Sequence, residues 1–202
     1  MTSMCSQGSY RVLLIVVRII LRIMHPVIRV EGLENLPEEP AVICCNHSGI
    51  LDPAWVLGWA KLPKLARTMA KKEIFCNRFL TWFFTKVGAF PVDRGSTDIS
   101  AIKNAIQTLK GGRSLLIFPE GTRIRKGKKS EPHSGAMLIA SRMQVPIVPV
   151  YLSAKRPLFA PVTLKFGKAF SPQFAGSKPT GEELQEQSLA MMERIYAMGG
   201  QE

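Results

Sequence analysis

The stretch AVICCNHSGILDPAWVLGWA, residues 41–60, contains the pattern that decides the fold. Its first five residues form an apolar run typical of a buried strand. The Asp-Pro pair at 52–53 is a common helix start, with Asp52 expected at the cap and Pro53 at the first helical position. Between the two elements the chain carries Asn46 and His47. The stretch therefore predicts a strand, a polar loop and a helix.

Similar units continue along the chain. Further strands are expected at VIRVEG (27–32), LARTMA (65–70), AFPV (89–92), SLLIF (114–118), VPIVPVYLS (145–153) and VTLKFGKAF (162–170). Further helices are expected at the N-terminus, NRFLTWFFTKVG (77–88), TDISAIKNAIQTL (97–109), GAMLIASRM (135–143) and 180–198. This alternation predicts the α/β class, with one domain built on a mainly parallel, mixed sheet that helices cover on both faces.

The composition indicates which classes of binding partner the protein favours. The formal net charge of +12 favours polyanions such as nucleic acid, anionic lipid or phosphate-bearing carriers. Nucleic acid is disfavoured because the aromatic residues cluster in apolar text such as WFF (82–84) instead of alternating with basic residues. The four cysteines form no Cys-x-x-Cys pair, so we expect a reducing compartment and no metal site.

The N-terminal segment is predicted to be an amphipathic helix in the membrane interface. The longest uncharged apolar run, residues 12–17, is too short for a membrane span. At about 100° per residue, Arg11, Arg18 and Arg22 lie within a narrow fan, while Leu, Ile and Val fill the rest of the circumference. We therefore divide the chain into an interfacial helix, residues 1–25, and an α/β domain, residues 26–202. The alternative is a helix packed on the protein's own core.

His47 and Asp52 could form a proton-accepting pair. On one continuous helix they would lie about 140° apart, but a loop followed by a helix start brings the carboxylate back to the imidazole. Asp52 could then hold Nδ1–H and leave Nε2 to take a proton. The alternative is a capping aspartate and a structural histidine. The chain has no Gly-x-Ser-x-Gly elbow, and Cys44 and Cys45 are expected in the core. The pattern therefore favours a hydroxyl of the substrate as the nucleophile.

Three other strand ends carry cations. FPEGTR (118–123) follows a buried strand and supplies Arg123, GAFPVDRG (88–95) supplies Arg94, and AKKE (70–73) supplies Lys71 and Lys72. The carboxyl ends of parallel strands are where ligands bind in α/β proteins. Arginines beside free backbone amides suit a phosphate monoester. Each cation alone could be a solvated surface charge.

Four blocks of sequence together resemble the glycerolipid acyltransferases. NHSGILD (46–52), GAFPVDR (88–94), FPEGTR (118–123) and VPIVPV (145–150) occur in the order of that family's motifs. The chain looks like a bacterial-type 1-acyl-sn-glycerol-3-phosphate acyltransferase, also called lysophosphatidic acid acyltransferase. Such an enzyme transfers a fatty acyl group to the sn-2 hydroxyl of its acceptor and gives phosphatidic acid.

The resemblance also implies roles for residues. His47 would be the general base and Asp52 its partner. The acceptor's phosphate site would be formed by Arg94, Glu120, Gly121, Thr122 and Arg123, with Lys71 or Lys72 helping. A carboxylate repels phosphate, so we expect Glu120 to orient Arg94 or Arg123. Pro146 and Pro149 are expected to shape a strand end near an acyl tunnel, because proline disrupts a central ladder.

The same resemblance implies acyl-CoA or acyl carrier protein as the acyl donor, with no cofactor. From the arginine stripe of the N-terminal helix we expect the protein at the cytoplasmic face of the cell membrane, as a peripheral or monotopic protein. Two rival interpretations stay open. One is acylation of glycerol-3-phosphate or another lysophospholipid by the same fold, and the other is a non-catalytic basic protein that binds membranes. The sequence leaves undetermined the donor, the chain length and the oligomeric state.

Overall fold

Helices and strands alternate along the part of the chain that the computed structural model describes, residues 6–93, 98–124, 130–154, 156–176 and 178–200. The strands are β1 (Ile28–Glu31), β2 (Val42–Cys45), β3 (Arg67–Lys71), β4 (Ala89–Val92), β5 (Leu115–Ile117), β6 (Ile147–Leu152) and β7 (Val162–Phe166). The helices are α1 (Gln7–Met24), α2 (Asp52–Trp59), α3 (Arg78–Lys86), α4 (Ile99–Lys110), α5 (Gly135–Met143) and α6 (Gly181–Gly199). Each predicted element is present, and two short 3-10 helices, Leu33–Asn35 and Lys72–Phe75, add to them.

The strands form one sheet in the order β1-β7-β6-β2-β5-β3-β4. All neighbouring strands run parallel except β6 and β7, which are antiparallel. The predicted α/β class with a mainly parallel, mixed sheet is confirmed. Because five neighbouring strands share one direction, the residues that follow β6, β2, β5, β3 and β4 all emerge at one edge of the sheet.

The sheet is buried on both faces. Four consecutive residues of β2, Val42 to Cys45, are fully inaccessible to solvent and alternate between two hydrophobic clusters. One cluster joins the sheet to α1 and α2, and the other joins it to α4, α5 and α6. Cys44 and Cys45 therefore belong to the core, as predicted.

The expectation that Pro149 marks a strand end is wrong, because Pro149 lies inside β6 and pairs in register with Cys44 of β2. Backbone groups alternate sides along a strand, and the carbonyl of Pro149 faces the segment after β7, where it accepts the N–H of Gly167 at 2.8 Å. The backbone groups of β6 that face β2 belong to the residues on either side of Pro149. Proline is tolerated here because its missing N–H lies beyond the paired part of β7, which begins opposite Val150.

Helix α1 has two apolar faces. Its inner face packs on α2 and the sheet through buried Tyr10 and Leu21 and partly buried Leu14 and Val17. Arg18 points along this contact and donates from Nε to the carbonyl of Gly58 in α2. The outer face exposes a second set of apolar side chains, Val12, Ile15, Val16, Ile19, Ile20 and Ile23. No helix in the described ranges is both long and apolar enough to span a bilayer.

Candidate active site

His47 and Asp52 meet at the sheet edge, as their spacing predicts. His47 lies in the loop after β2, and Asp52 is the first residue of α2. Nδ1 of His47 lies 2.8 Å from Oδ2 of Asp52. Asp52 was expected at the N-cap of this helix, but the N-cap is Leu51, whose side chain makes no capping hydrogen bond. The loop brings the two side chains together in the way that a continuous helix could not.

Asp52 is a fully buried carboxylate with several donors. Its side chain is 0% exposed to solvent. Oδ2 accepts the backbone N–H groups of Ser48 at 2.7 Å and Gly49 at 2.8 Å in addition to the imidazole. Oδ1 accepts Nη2 of Arg156. A buried charge needs such partners, since an unpaired carboxylate in the interior would be neutralised instead.

The His47 ring is fixed on its other side by an aromatic contact. It stacks on Phe118, with ring centroids 4.3 Å apart and an interplanar angle of 29°. Phe118 follows β5, the strand next to β2, so the two rings are neighbours because their strands are paired. The carboxylate and the stacking together fix the orientation of the imidazole and leave its Nε2 as the atom available to a substrate.

The loop that carries His47 is anchored to two neighbouring strands. Asn46 acts as an extension of β2, because its amide donates to the carbonyl of Leu152 and accepts the N–H of Leu152, each at 2.8 Å. The carbonyl of His47 accepts the N–H of Ile124 at 2.8 Å. These bonds position the backbone of the histidine relative to β6 and to the FPEGTR segment.

Glu120 supports the histidine. It is 2% exposed, its Oε2 accepts the backbone N–H of His47 at 2.6 Å, and its Oε1 accepts the hydroxyl of Tyr196 in α6. Burial raises the pKa of Glu120, although both hydrogen bonds oppose that shift. Among the described residues these partners replace the expected contact with Arg123. The expected contact with Arg94 lies outside the described residues.

Gly121 makes the turn that follows. Its φ of +64° lies in the left-handed region, and a Cβ there would come within 2.5 Å of the His133 ring. Both observations require glycine. The turn presents Thr122 and Arg123 as exposed side chains directly after the buried Glu120.

Lys71 and Lys72 lie farther along the same edge. Lys71 ends β3 and pairs with Glu73 at 3.1 Å, and Lys72 pairs with Asp93 at 3.4 Å, both as exposed pairs. At about 4.8 Å between strands, the end of β3 lies roughly 10 Å from the end of β2, since β5 separates them. Arg94, which follows β4, lies outside the described residues. The structure thus joins His47, Asp52 and Glu120 directly, while the lysines stand to one side.

Two residues of the site escape prediction from the sequence. Arg156, after β6, binds Asp52, and Tyr196, near the end of α6, binds Glu120. Each lies far along the chain from its partner, and neither belongs to a recognisable motif.

Three comparisons with known proteins agree with this geometry. Residues 27–153 match the Acyltransferase family. The chain is 36% identical to a 1-acyl-sn-glycerol-3-phosphate acyltransferase of Bacillus subtilis over 174 residues, which cover 83% of this chain and 86% of that protein. It is 38% identical over 129 residues to a Streptococcus pneumoniae protein of the same name, covering 63% of this chain and 45% of that one.

The fold also matches a solved structure. The crystal structure of the 1-acyl-sn-glycerophosphate acyltransferase PlsC from Thermotoga maritima has a TM-score of 0.70 and covers 96% of this chain and 83% of that one. The sequence identity is 24%, so this likeness concerns the fold.

Tyr196→Phe tests the support of Glu120. Removing the hydroxyl leaves a buried carboxylate with one donor fewer, so we expect a loss of about 1–3 kcal/mol in the free energy of unfolding at neutral pH. The Tyr196 bond lowers the pKa of Glu120, so its stabilisation exists only while Glu120 is ionised. The loss should therefore shrink as the pH falls through the raised pKa of Glu120. Chemical unfolding at neutral and acidic pH measures it.

The Glu120→Gln background provides the control, because Tyr196→Phe should cost less there at neutral pH and show little pH dependence. Equal losses in both backgrounds at every pH would contradict the role assigned to this contact.

Proposed function

Because the chain belongs to the Acyltransferase family, we propose that it transfers a fatty acyl group from an acyl thioester to the sn-2 hydroxyl of 1-acyl-glycerol-3-phosphate, giving phosphatidic acid. The names of its relatives support this acceptor. The observation that carries the chemistry is the contact of His47 with a fully buried Asp52 at a sheet edge.

The absence of a protein nucleophile among the described residues supports direct transfer. Within these ranges no hydroxyl or thiol side chain is hydrogen-bonded to the His47 ring. The Ser48 hydroxyl accepts from Arg156 instead, at 3.1 Å. Burial raises the pKa of the neighbouring Cys45 thiol, which keeps it protonated. These observations support attack on the thioester by a hydroxyl of the acceptor.

The reaction follows from the geometry of the pair. Asp52 accepts Nδ1–H, so Nε2 carries the lone pair that removes the proton from the acceptor hydroxyl. The oxygen attacks the thioester carbonyl carbon and forms a new C–O bond. The tetrahedral intermediate then collapses, the C–S bond breaks, and the leaving thiolate takes the proton from the imidazolium. Asp52 stays ionised and stabilises that imidazolium.

The acceptor's phosphate is proposed to bind beside the pair, at Arg94, Gly121, Thr122 and Arg123. The exposure of Thr122 and Arg123 directly after the buried Glu120 supports this site, since a hydroxyl and a cation then face solvent close to His47. Lys71 and Lys72 would help to attract both anionic substrates. The donor, acyl-CoA or acyl carrier protein, arrives from the aqueous side, and its acyl chain is proposed to lie in a tunnel.

The membrane placement rests on the outer face of α1. At about 100° per residue its exposed apolar side chains fall within an arc of roughly 140°, opposite the face that packs on α2. Arg11 and Arg22 both lie along one side of this arc, where they can reach lipid phosphates. We therefore propose that residues 1–25 lie in the interface at the cytoplasmic face of the membrane. Residues 26–202 would form the catalytic domain.

Helix α3 extends the same surface. Phe79, Trp82 and Phe83 are exposed at helical spacing, and an open groove lined by Leu13 of α1 and by Trp82 and Phe83 joins the two helices. Tryptophan and basic residues are typical of the interface between lipid and water. A membrane contact through both helices would bring the sheet edge to the depth of the lipid phosphates.

His47→Ala should abolish transfer while the fold and vesicle binding persist, because only the proton acceptor is lost. The expected fall in kcat is at least about 10²–10⁴-fold. A purified-protein assay pairs 1-acyl-glycerol-3-phosphate with acyl-CoA and with acyl carrier protein, and runs glycerol-3-phosphate and a lysophosphatidylcholine in parallel. Circular dichroism controls for folding. Near-normal turnover of the variant, or preference for another acceptor, would overturn the proposal.

Arg94→Ala and Arg123→Ala should each raise KM for the acceptor, since a charge-assisted bond to phosphate contributes about 1.5–3 kcal/mol. The KM for the acyl donor should change less. Arg142→Ala serves as the matched control, because Arg142 is an exposed arginine at the end of α5. Acceptor KM values that match the control for both variants would require a different phosphate site.

A triple substitution of Val12, Ile15 and Ile19 by Ser should weaken binding to anionic vesicles, by up to about 1.5–3 kcal/mol for each side chain that the bilayer buries. All three side chains are exposed, so the fold should be unaffected. The control replaces Ile99 and Leu189, exposed apolar residues of α4 and α6, by Ser. Vesicle sedimentation measures the difference, and a triple variant that sediments like the control refutes the placement.

A further inference from the structure

We propose that Arg156 is a positioning residue for catalysis, which acts by holding the carboxylate of Asp52 in the plane that the imidazole requires. The inference rests on the proposed acyl transfer. Arg156 lies beyond residues 27–153, the part of the chain that matches the family. Its contacts in the structure are therefore the evidence for its role.

The first observation is that the two carboxylate oxygens of Asp52 have different hydrogen-bond partners. Oδ2 accepts the His47 imidazole and two backbone N–H groups, and Oδ1 accepts Nη2 of Arg156. A carboxylate held at one oxygen alone can rotate about its Cβ–Cγ bond. With an arginine on the other oxygen, rotation would break a charge-assisted hydrogen bond in a site without water access. Arg156 thereby fixes the direction in which Oδ2 meets Nδ1.

The second observation is that Arg156 is itself fixed. Its side chain is 9% exposed, Nη1 donates to the carbonyl of Ser153, and Nη2 also donates to the hydroxyl of Ser48 at 3.1 Å. Ser153 directly follows β6, and Ser48 follows His47 in the loop after β2. The planar guanidinium thus ties together the ends of two neighbouring strands, with a geometry that a lysine ammonium cannot reproduce.

The third observation concerns Gly49. A Cβ at this residue would lie 2.8 Å from Nη2 of Arg156 and 3.1 Å from Oδ1 of Asp52. The guanidinium occupies the space that any larger residue would need, and its other contacts prevent it from moving aside. The position of Arg156 therefore explains why residue 49 is a glycine.

The same contacts argue against Arg156 as a phosphate ligand. The positive charge is already neutralised by a carboxylate that is 0% exposed, and the three contacts of the guanidinium point into the protein. Arg123, by contrast, is exposed to solvent. Loss of Arg156 should therefore impair turnover and leave acceptor binding largely unchanged.

The test is a double-mutant cycle of Arg156→Met and Asp52→Asn, with Arg156→Lys as the conservative variant. We expect Arg156→Met to lower kcat about 10- to 100-fold with the acceptor KM within about twofold, since a displaced catalytic group costs up to about 10²-fold. Arg156→Lys should retain more of kcat. In the Asp52→Asn background, Arg156→Met should cause little further loss. Arg142→Met is the control for removal of an arginine charge.

Stability provides a readout independent of activity. Arg156→Met leaves a buried carboxylate with one partner fewer and should lower Tm, and the double variant should recover part of that loss. An unchanged kcat in folded Arg156→Met, a raised acceptor KM with kcat unchanged, or losses that multiply in the cycle would each overturn the proposal. A wild-type protein without transferase activity would instead refute the proposed function, while the stability cycle would still test the contact.

Discussion

The structure of the site depends on one buried charge, the carboxylate of Asp52. Removing it from water is costly, and the protein offsets that cost with donors from the loop, the imidazole and Arg156. The same contacts that offset this cost also decide where His47 points. Burial of Asp52 and orientation of the base are therefore a single physical problem with a single solution.

The supports come from four parts of the chain that meet only in the folded protein. The loop after β2 carries His47, the segment after β5 supplies Phe118 and Glu120, the segment after β6 supplies Arg156, and α6 supplies Tyr196. Parallel strands make this convergence possible because their carboxyl ends share an edge. The central strand β2 places the histidine in the middle of that edge, with support on both sides.

The two faces of α1 have different surroundings. The inner face is part of the core, and the exposed outer face is the one on which the proposed membrane contact rests. Arg18 belongs to the inner contact, where it binds the carbonyl of Gly58 instead of facing lipid phosphates. Because α1 packs on α2, whose first residue is Asp52, this packing would hold the proposed membrane contact at a defined distance from His47 and Asp52.

The sequence by itself determined the α/β class, the approximate positions of the strands and α-helices among the described residues, and the meeting of His47 with Asp52, because hydrophobic periodicity, turn residues and a five-residue spacing are local properties. Tertiary structure alone decided the rest. Glu120 binds the His47 backbone, Pro149 lies within a strand, and Arg156 and Tyr196 enter the site from distant segments. Such contacts depend on which strands become neighbours and which backbone groups face them, and no local pattern records those choices.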